Sequence, residues 1–314
     1  MTTTLTARGP EDLLAAVPVV LGFRPQDSLV MLTFGAERTF HARLDLPDAA
    51  DDRSLAEVVE TLLAPCRTHE VDHVAFVVYT ADRVMAAALA AALVPAFVAD
   101  GVGVVDVLRA DSGCWCSVPV RADAPETPPL PYDETHHPFR AQAVFDGRVT
   151  LGSREDLRAT LAPDVDLRRR WGARLEGLPA PNAEEAARVR DLVAAWVESG
   201  EEPDDDGADQ VLRAVSQVEV RDAALYAVTH DTVHDHLRVW SALLRGAPDP
   251  QVPDVAAVTA FCAWQAGHGA LAWCALDRCF EVDSDHLLGR CLAECLVRAV
   301  PPTAWSERGP SDPA

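Results

Sequence analysis

The stretch LLAAVPVVLGFRPQDSLVMLTF, Leu13 to Phe34, decides how the first half of this chain folds. Val17, Val20 and Leu21 follow the spacing of one helix face, and Gly9-Pro10-Glu11-Asp12 supplies a turn and acidic first-turn residues ahead of them. Pro18 inside the run is expected to kink the helix or limit it to short turns, since proline lacks the N–H that a helix interior uses. Gly22 breaks the run, Arg24-Pro25-Gln26-Asp27 turns the chain, and Ser28 to Phe34 re-emerges as a nearly continuous apolar strand. Beyond it, Thr39 to Leu46 alternates Phe40, Ala42, Leu44 and Leu46 against Thr39, His41, Arg43 and Asp45. With Gly35 to Arg38 between the two, a β-hairpin with a half-exposed second strand is predicted.

Working outward, Ser54 to Cys66 reads as a helix, with Ser54 and Glu57 at capping-box spacing. Val74 to Tyr79 is apolar throughout, as expected of a central strand covered on both faces. Thr80-Ala81-Asp82 introduces an alanine-rich helix to Ala99, Val102 to Leu108 is the next strand, and Ala110 to Gly113 turns into Cys114 to Val118. The proline-rich segment Ala124 to Pro138 then has no periodicity and reads as a connecting loop. From Phe139 onward the pattern is that of helices or helical pairs: Ser153–Leu161, Asp164–Leu178, Asn182–Ser199, Gln210–Thr229, Thr232–Arg245 and Val252–Val300, interrupted by the acidic loop Glu201 to Gly207. The fold expected is α/β: an N-terminal mixed β-sheet with packed helices (residues 1–120), a proline-rich connecting loop (121–138), and an all-α region (139–314). Within the last, Gly267 to Ala272, Ala275, Leu276 and Phe280 resemble one tetratricopeptide-type helical hairpin.

Composition excludes more than it assigns. A formal charge of −22 opposes phosphate backbones and anionic lipid, so neither nucleic acid nor membrane is expected as a partner. All 27 basic residues are arginine, with no lysine anywhere, which removes the usual P-loop, protein-kinase and Schiff-base chemistries. No Gly-x-Gly-x-x-Gly or Gly-x-Ser-x-Gly is present. The longest apolar run, Val84 to Ala99, is shorter than the roughly 20 residues a bilayer requires. The opening residues lack the features of a signal peptide, so a cytoplasmic location is expected. Most of the eight cysteines fall on helical patterns and read as buried free thiols; Cys114-Trp115-Cys116 puts two sulfurs on one strand face without further zinc ligands nearby.

Three stretches together, LGFRPQDSLV (Leu21–Val30), VRDAAL (Val220–Leu225) and AWQAGHGALAWCALDRCFEVD (Ala263–Asp283), resemble an uncharacterised bacterial domain-of-unknown-function family of the GC-rich Gram-positive type. The resemblance implies no activity, cofactor or catalytic residue. It does imply one departure: relatives carry a paired-cysteine Pro-Pro-Glu-Gly segment where this chain has Cys116 to Pro131, CSVPVRADAPETPPLP. If those cysteines bind anything in relatives, this chain has lost it.

Candidate sites follow from residue type and position. Asp27, Tyr79 and Asp82 are the candidates for a catalytic carboxylate-lined cleft, with Arg24 and Thr80 as ligand-binding residues, because the end of a central strand is where open α/β sheets place ligands. Each has a structural alternative: Asp27 as a turn former, Arg24 paired with Asp27, and Thr80 or Asp82 as a helix cap. His230, His234 and His236 are the candidate metal ligands, set against Thr232 as a cap that would break their geometry. The leading expectation is a cytoplasmic, non-catalytic module that binds a protein partner or small ligand at the seam of the two domains, with no cofactor. The alternatives are a hydrolase or transferase at the carboxylate cleft, and a histidine-ligated metalloenzyme.

Overall fold

Seven residues at the centre of the first half, His73–Tyr79 (β3), lose almost all contact with solvent after His73, as their unbroken apolar character requires. The computed structural model describes residues 7–36, 39–119, 127–145, 149–179 and 181–306, and the chain divides into two units, Met1–Arg154 and Glu155–Ala314. Glu37 and Arg38 of the predicted hairpin turn, and 120–126 of the proline-rich segment, lie outside the described residues.

In the first unit, β1 (Ser28–Phe34) and β2 (His41–Asp45) form the predicted antiparallel hairpin, and β1 also pairs antiparallel with β3. β4 (Gly103–Asp111) runs parallel to β3, and β5 (Cys114–Ser117) and the two-residue β6 (Leu130–Pro131) complete a mixed sheet in the order β2-β1-β3-β4-β5-β6. The period of two divides the side chains between two cores. Val30, Leu32, Ala75, Val77, Tyr79, Leu108 and Ala110 face Leu13, Leu14 and Val17 of α1 (Pro10–Leu21). On the other face, Leu29, Met31, Val74, Phe76 and Val78 meet α2 (Asp52–Thr68) and α3 (Arg83–Ala99), with Phe76 and Phe97 edge to face at 5.1 Å. α4 (Pro138–Phe145) packs on α1, so this unit continues past the proline-rich stretch.

Three local expectations are corrected. α1 runs unbroken through Pro18 and ends at Gly22, whose φ of 81° only glycine adopts freely. The cap of α2 is Asp51, whose carboxylate accepts the Arg53 and Ser54 N–H groups, so Ser54 lies inside the first turn. Ala110 and Asp111 belong to β4; the turn is Ser112-Gly113, with φ of 48° and 77°, the pair of positive values that a two-residue hairpin of type I′ needs.

The second unit is helical among its described residues: α5 (Arg154–Ala159) at the boundary, α6 (Val165–Leu175), α7 (Ala183–Ser199), α8 (Asp205–Ala214), α9 (Val218–Tyr226), α10 (Val233–Gly246), α11 (Val252–Gln265), α12 (Gly269–Val282), α13 (Leu287–Val297) and α14 (Thr303–Ser306). From Val252 to Trp264 every residue of α11 except Asp254 is buried, and α10, α12 and α13 pack around it. The α11–α12 hairpin turns where the sequence places it: Gly267 is left-handed, its N–H bonds Trp264 C=O at 2.9 Å, and the His268 N–H bonds Ala263 C=O at 2.8 Å. These two bonds close the last turn of α11 and satisfy its final carbonyls.

One expectation changes here. The acidic run is half helix, since Asp204 caps α8 and Asp205 in its first turn accepts the Trp171 indole N–H at 2.9 Å; acidic side chains favour a helix N-terminus. Gln210–Thr229 holds a helical pair, the end of α8 and α9, separated at 215–217. Glycine is required at Gly246, where any Cβ would collide with the buried Trp171 ring. No helix among the described residues is long and apolar enough to cross a membrane.

Candidate functional site

A cleft of about 370 Å³ opens in the helical unit, within the range of small-molecule sites. α5 and the turn after it contribute Glu155, Arg158, Ala159, Ala162 and Pro163 to its walls. α6 contributes Arg168, and the 3₁₀ turn Asp249–Gln251 and the start of α11 contribute Asp249 and Val252. The remaining wall is one face of α12, where Arg278, Glu281 and Val282 are three and four residues apart and therefore neighbours on the helix surface.

Two of the three arginines arrive already paired. Arg158 meets Glu281 at 3.3 Å and Asp277 at 3.7 Å, and Arg168 is paired with Asp249. Arg278 is different. It is 7% exposed, and its Nη1 donates to the main-chain carbonyls of Leu161 (2.5 Å) and Leu244 (3.0 Å), joining the turn after α5 to the last turn of α10. Among the described residues no carboxylate lies within ion-pair distance of it. Burial lowers its pKa from the usual guanidinium value; Glu281 and Asp249 act on it only from a distance, and Arg168 opposes them. A guanidinium remains protonated regardless, so the protein holds an enclosed positive charge without a counter-charge.

The sequence candidates of the first unit are gathered at one end of the sheet. Ser28 opposes Tyr79, which places Asp27 beside the end of β3 and next to Thr80. Asp27 is exposed, and its contribution to the turn is its backbone: φ is 41°, and its carbonyl accepts the Leu46 N–H at 3.1 Å. The pairing of Arg24 with Asp27 is corrected, because Arg24 Nε lies 2.6 Å from Glu134. Asp82 caps α3 by accepting the N–H groups of Val84 (2.8 Å) and Met85 (3.1 Å), and the Thr80 hydroxyl accepts the Asp82 N–H at 3.0 Å. The Tyr79 hydroxyl is buried without a hydrogen-bond partner, and burial, followed by the nearby Tyr132 and Glu134, drives its pKa well above 10.

The histidine candidates do not converge. His230 precedes α10, while His234 is exposed on it with its ring 5.7 Å from that of His268. His236 points into the core, 4% exposed, with its pKa lowered by desolvation. Among the described residues no three His, Cys, Asp or Glu side chains are grouped to hold a metal. None of the eight cysteines is in a disulfide, and burial raises the thiol pKa of Cys66 to about 11 and of Cys279 to about 12, where thiolate chemistry is suppressed.

Sequence reasoning also missed a half-buried polar triad. Asp254 accepts from Arg221 Nη1 at 3.0 Å and meets His286 Nε2 at 3.2 Å, while His286 Nδ1 accepts the Gly289 N–H at the start of α13. Burial pushes the Asp254 carboxyl up, but the bonds from His286 and Arg221 outweigh it and hold the pKa below the usual value. The arginine of VRDAAL thus ties α9 to α11.

Fold and cleft define a class: an α/β unit followed by a helical unit whose cleft is lined by three arginines. The chain belongs to the family described as Domain of unknown function (DUF4192), whose profile matches residues 10–303. No curated protein and no solved structure matches it.

Proposed function

We propose that this chain is a cytoplasmic, non-catalytic module that binds a small molecule in the cleft of its helical unit. The observation that carries the reading is Arg278, a buried guanidinium with no carboxylate partner among the described residues, in the wall of a cleft of ligand size. The lining supports binding over chemistry: it contains no Ser, Thr, Cys, His or Tyr, and Asp249 and Glu281 are engaged by Arg168 and Arg158. Eight cysteines without a disulfide support a reducing compartment.

The test is a thermal-shift screen of small metabolites on the purified chain, repeated on Ala162→Trp, which fills the cleft from its exposed rim. Ligands that raise the melting temperature of the wild type should lose that effect in Ala162→Trp and keep it in Asp82→Ala. Ligand stabilisation that survives the filled cleft would move the site elsewhere.

A further inference from the structure

We infer that the ligand of this cleft carries a single carboxylate, seated on the Nε/Nη2 edge of Arg278, with an apolar body against Val252 and Val282; this rests on the reading of the cleft as a binding site. The guanidinium presents five N–H donors in a fixed plane. Nη1 is engaged by the Leu161 and Leu244 carbonyls, which fixes the plane and leaves the Nε and Nη2 donors without an acceptor among the described residues. Those two N–H groups are parallel and match the two oxygens of one carboxylate, the geometry in which arginine pairs most strongly.

Charge limits the choice of anion. Arg158 and Arg168 each have an acid in ion-pair contact, whereas Arg278, the buried arginine of the cleft, has none among the described residues. Glu155, exposed on the rim, together with Asp249 and Glu281, surrounds that charge with carboxylates. A dianionic phosphate would meet these three with about twice the repulsion that a monocarboxylate meets, and the two oxygens of a monocarboxylate match the open guanidinium edge. Val252 and Val282, with Ala159 and Pro163, offer apolar surface to the remainder of the ligand and no complement to a second polar head.

The probes are butanoate, butanamide, n-butylammonium and inorganic phosphate, titrated into the full chain by calorimetry and by NMR of arginine Nε–H groups. Butanoate is expected to bind and to move the Arg278 Nε–H resonance downfield, while butanamide and n-butylammonium bind at least tenfold more weakly and phosphate binds more weakly than butanoate. Arg278→Gln should weaken butanoate at least tenfold, and Arg278→Lys, which keeps the charge and loses the fork, should also lose most of the affinity. If those variants do not fold, the wild-type Nε–H shift decides alone. Equal binding of butanoate and butanamide, phosphate binding more tightly than butanoate, or an unmoved Arg278 resonance overturns the carboxylate assignment. If a neutral probe still binds and is lost in Ala162→Trp, the cleft reading survives that failure; if no probe binds in the cleft, both readings fall.

Discussion

Two arginines in conspicuous stretches end in opposite circumstances. Arg24, in the turn after α1, is 40% exposed and lies 2.6 Å from Glu134; Arg278, in α12, is 7% exposed and bonds only main-chain carbonyls. The first is a paired surface charge whose removal changes little, because solvent already screens it. The second is enclosed, and an enclosed charge without a partner is a standing cost that a binding partner can remove. Arg221 lies between them, half-buried and supplied with Asp254. Neither motif membership nor residue type marks the proposed site; its marker is a buried charge with no counter-ion among the described residues.

The sharpest way to break this comparison is to give Arg221 the circumstances of Arg278. Asp254→Ala leaves a second, half-buried guanidinium without its carboxylate and should lower unfolding free energy by about 2–3 kcal/mol. Urea unfolding followed by tryptophan fluorescence reads this directly, because six of the seven tryptophans lie in the second unit. A loss below ~1 kcal/mol would mean that burial of guanidinium is cheap here and would remove the significance given to Arg278.

A half-buried base extends the comparison to the first unit. The His41 pKa is lowered to about 4 by desolvation, and its Nδ1 has no partner among the described residues. Between pH 6.5 and 4 the unfolded chain therefore binds a proton that the folded chain refuses. Stability is flat above pH 6.5 and falls as pH drops through this window, by on the order of 3 kcal/mol in total. Hydrogen exchange of β3 amides in wild type and His41→Gln measures it, and the variant should show a flatter profile across those pH values.

Smaller effects separate capping from pairing. Asp82→Ala removes the acceptor of two N–H groups at the start of α3 and should cost about 1 kcal/mol. Arg24→Ala should cost at most ~0.5 kcal/mol, and 1 M salt should erase the difference. If Arg24→Ala proved the more damaging of the two, the turn would owe its shape to the ion pair rather than to Gly22 and the backbone of Asp27. Hydrogen exchange in the same strands distinguishes these outcomes.

The strands were legible because alternation and continuous apolarity are local signals: β1, β3 and the first hairpin stand within two residues of their expected places. Helix starts were less so. Asp51, Asp52 and Ser54 can all cap, and the choice of Asp51 depends on where the chain arrives after β2. The cleft was not legible at all. In sequence, Arg278 is flanked by Asp277 and Glu281 as partners, yet these turn to Arg158. Its own acceptors, Leu161 and Leu244, lie 117 and 34 residues away and are main-chain atoms, to which no side-chain pattern points. Arg24 misled for the converse reason: a nearby acid, Asp27, was available, and the fold used the distant Glu134.

The bare Cα of Gly246 has a reach beyond packing. It lets Trp171 settle against the end of α10, two residues from the Leu244 carbonyl that holds Arg278, and Trp171 shares α6 with Arg168 on the cleft wall. A side chain at residue 246 would lift α6 and displace the arginine geometry together, so substitutions there are opposed by folding and, in the proposed binding role, by the ligand as well. Tolerance at this position would be the clearest sign that a relative had given up the site.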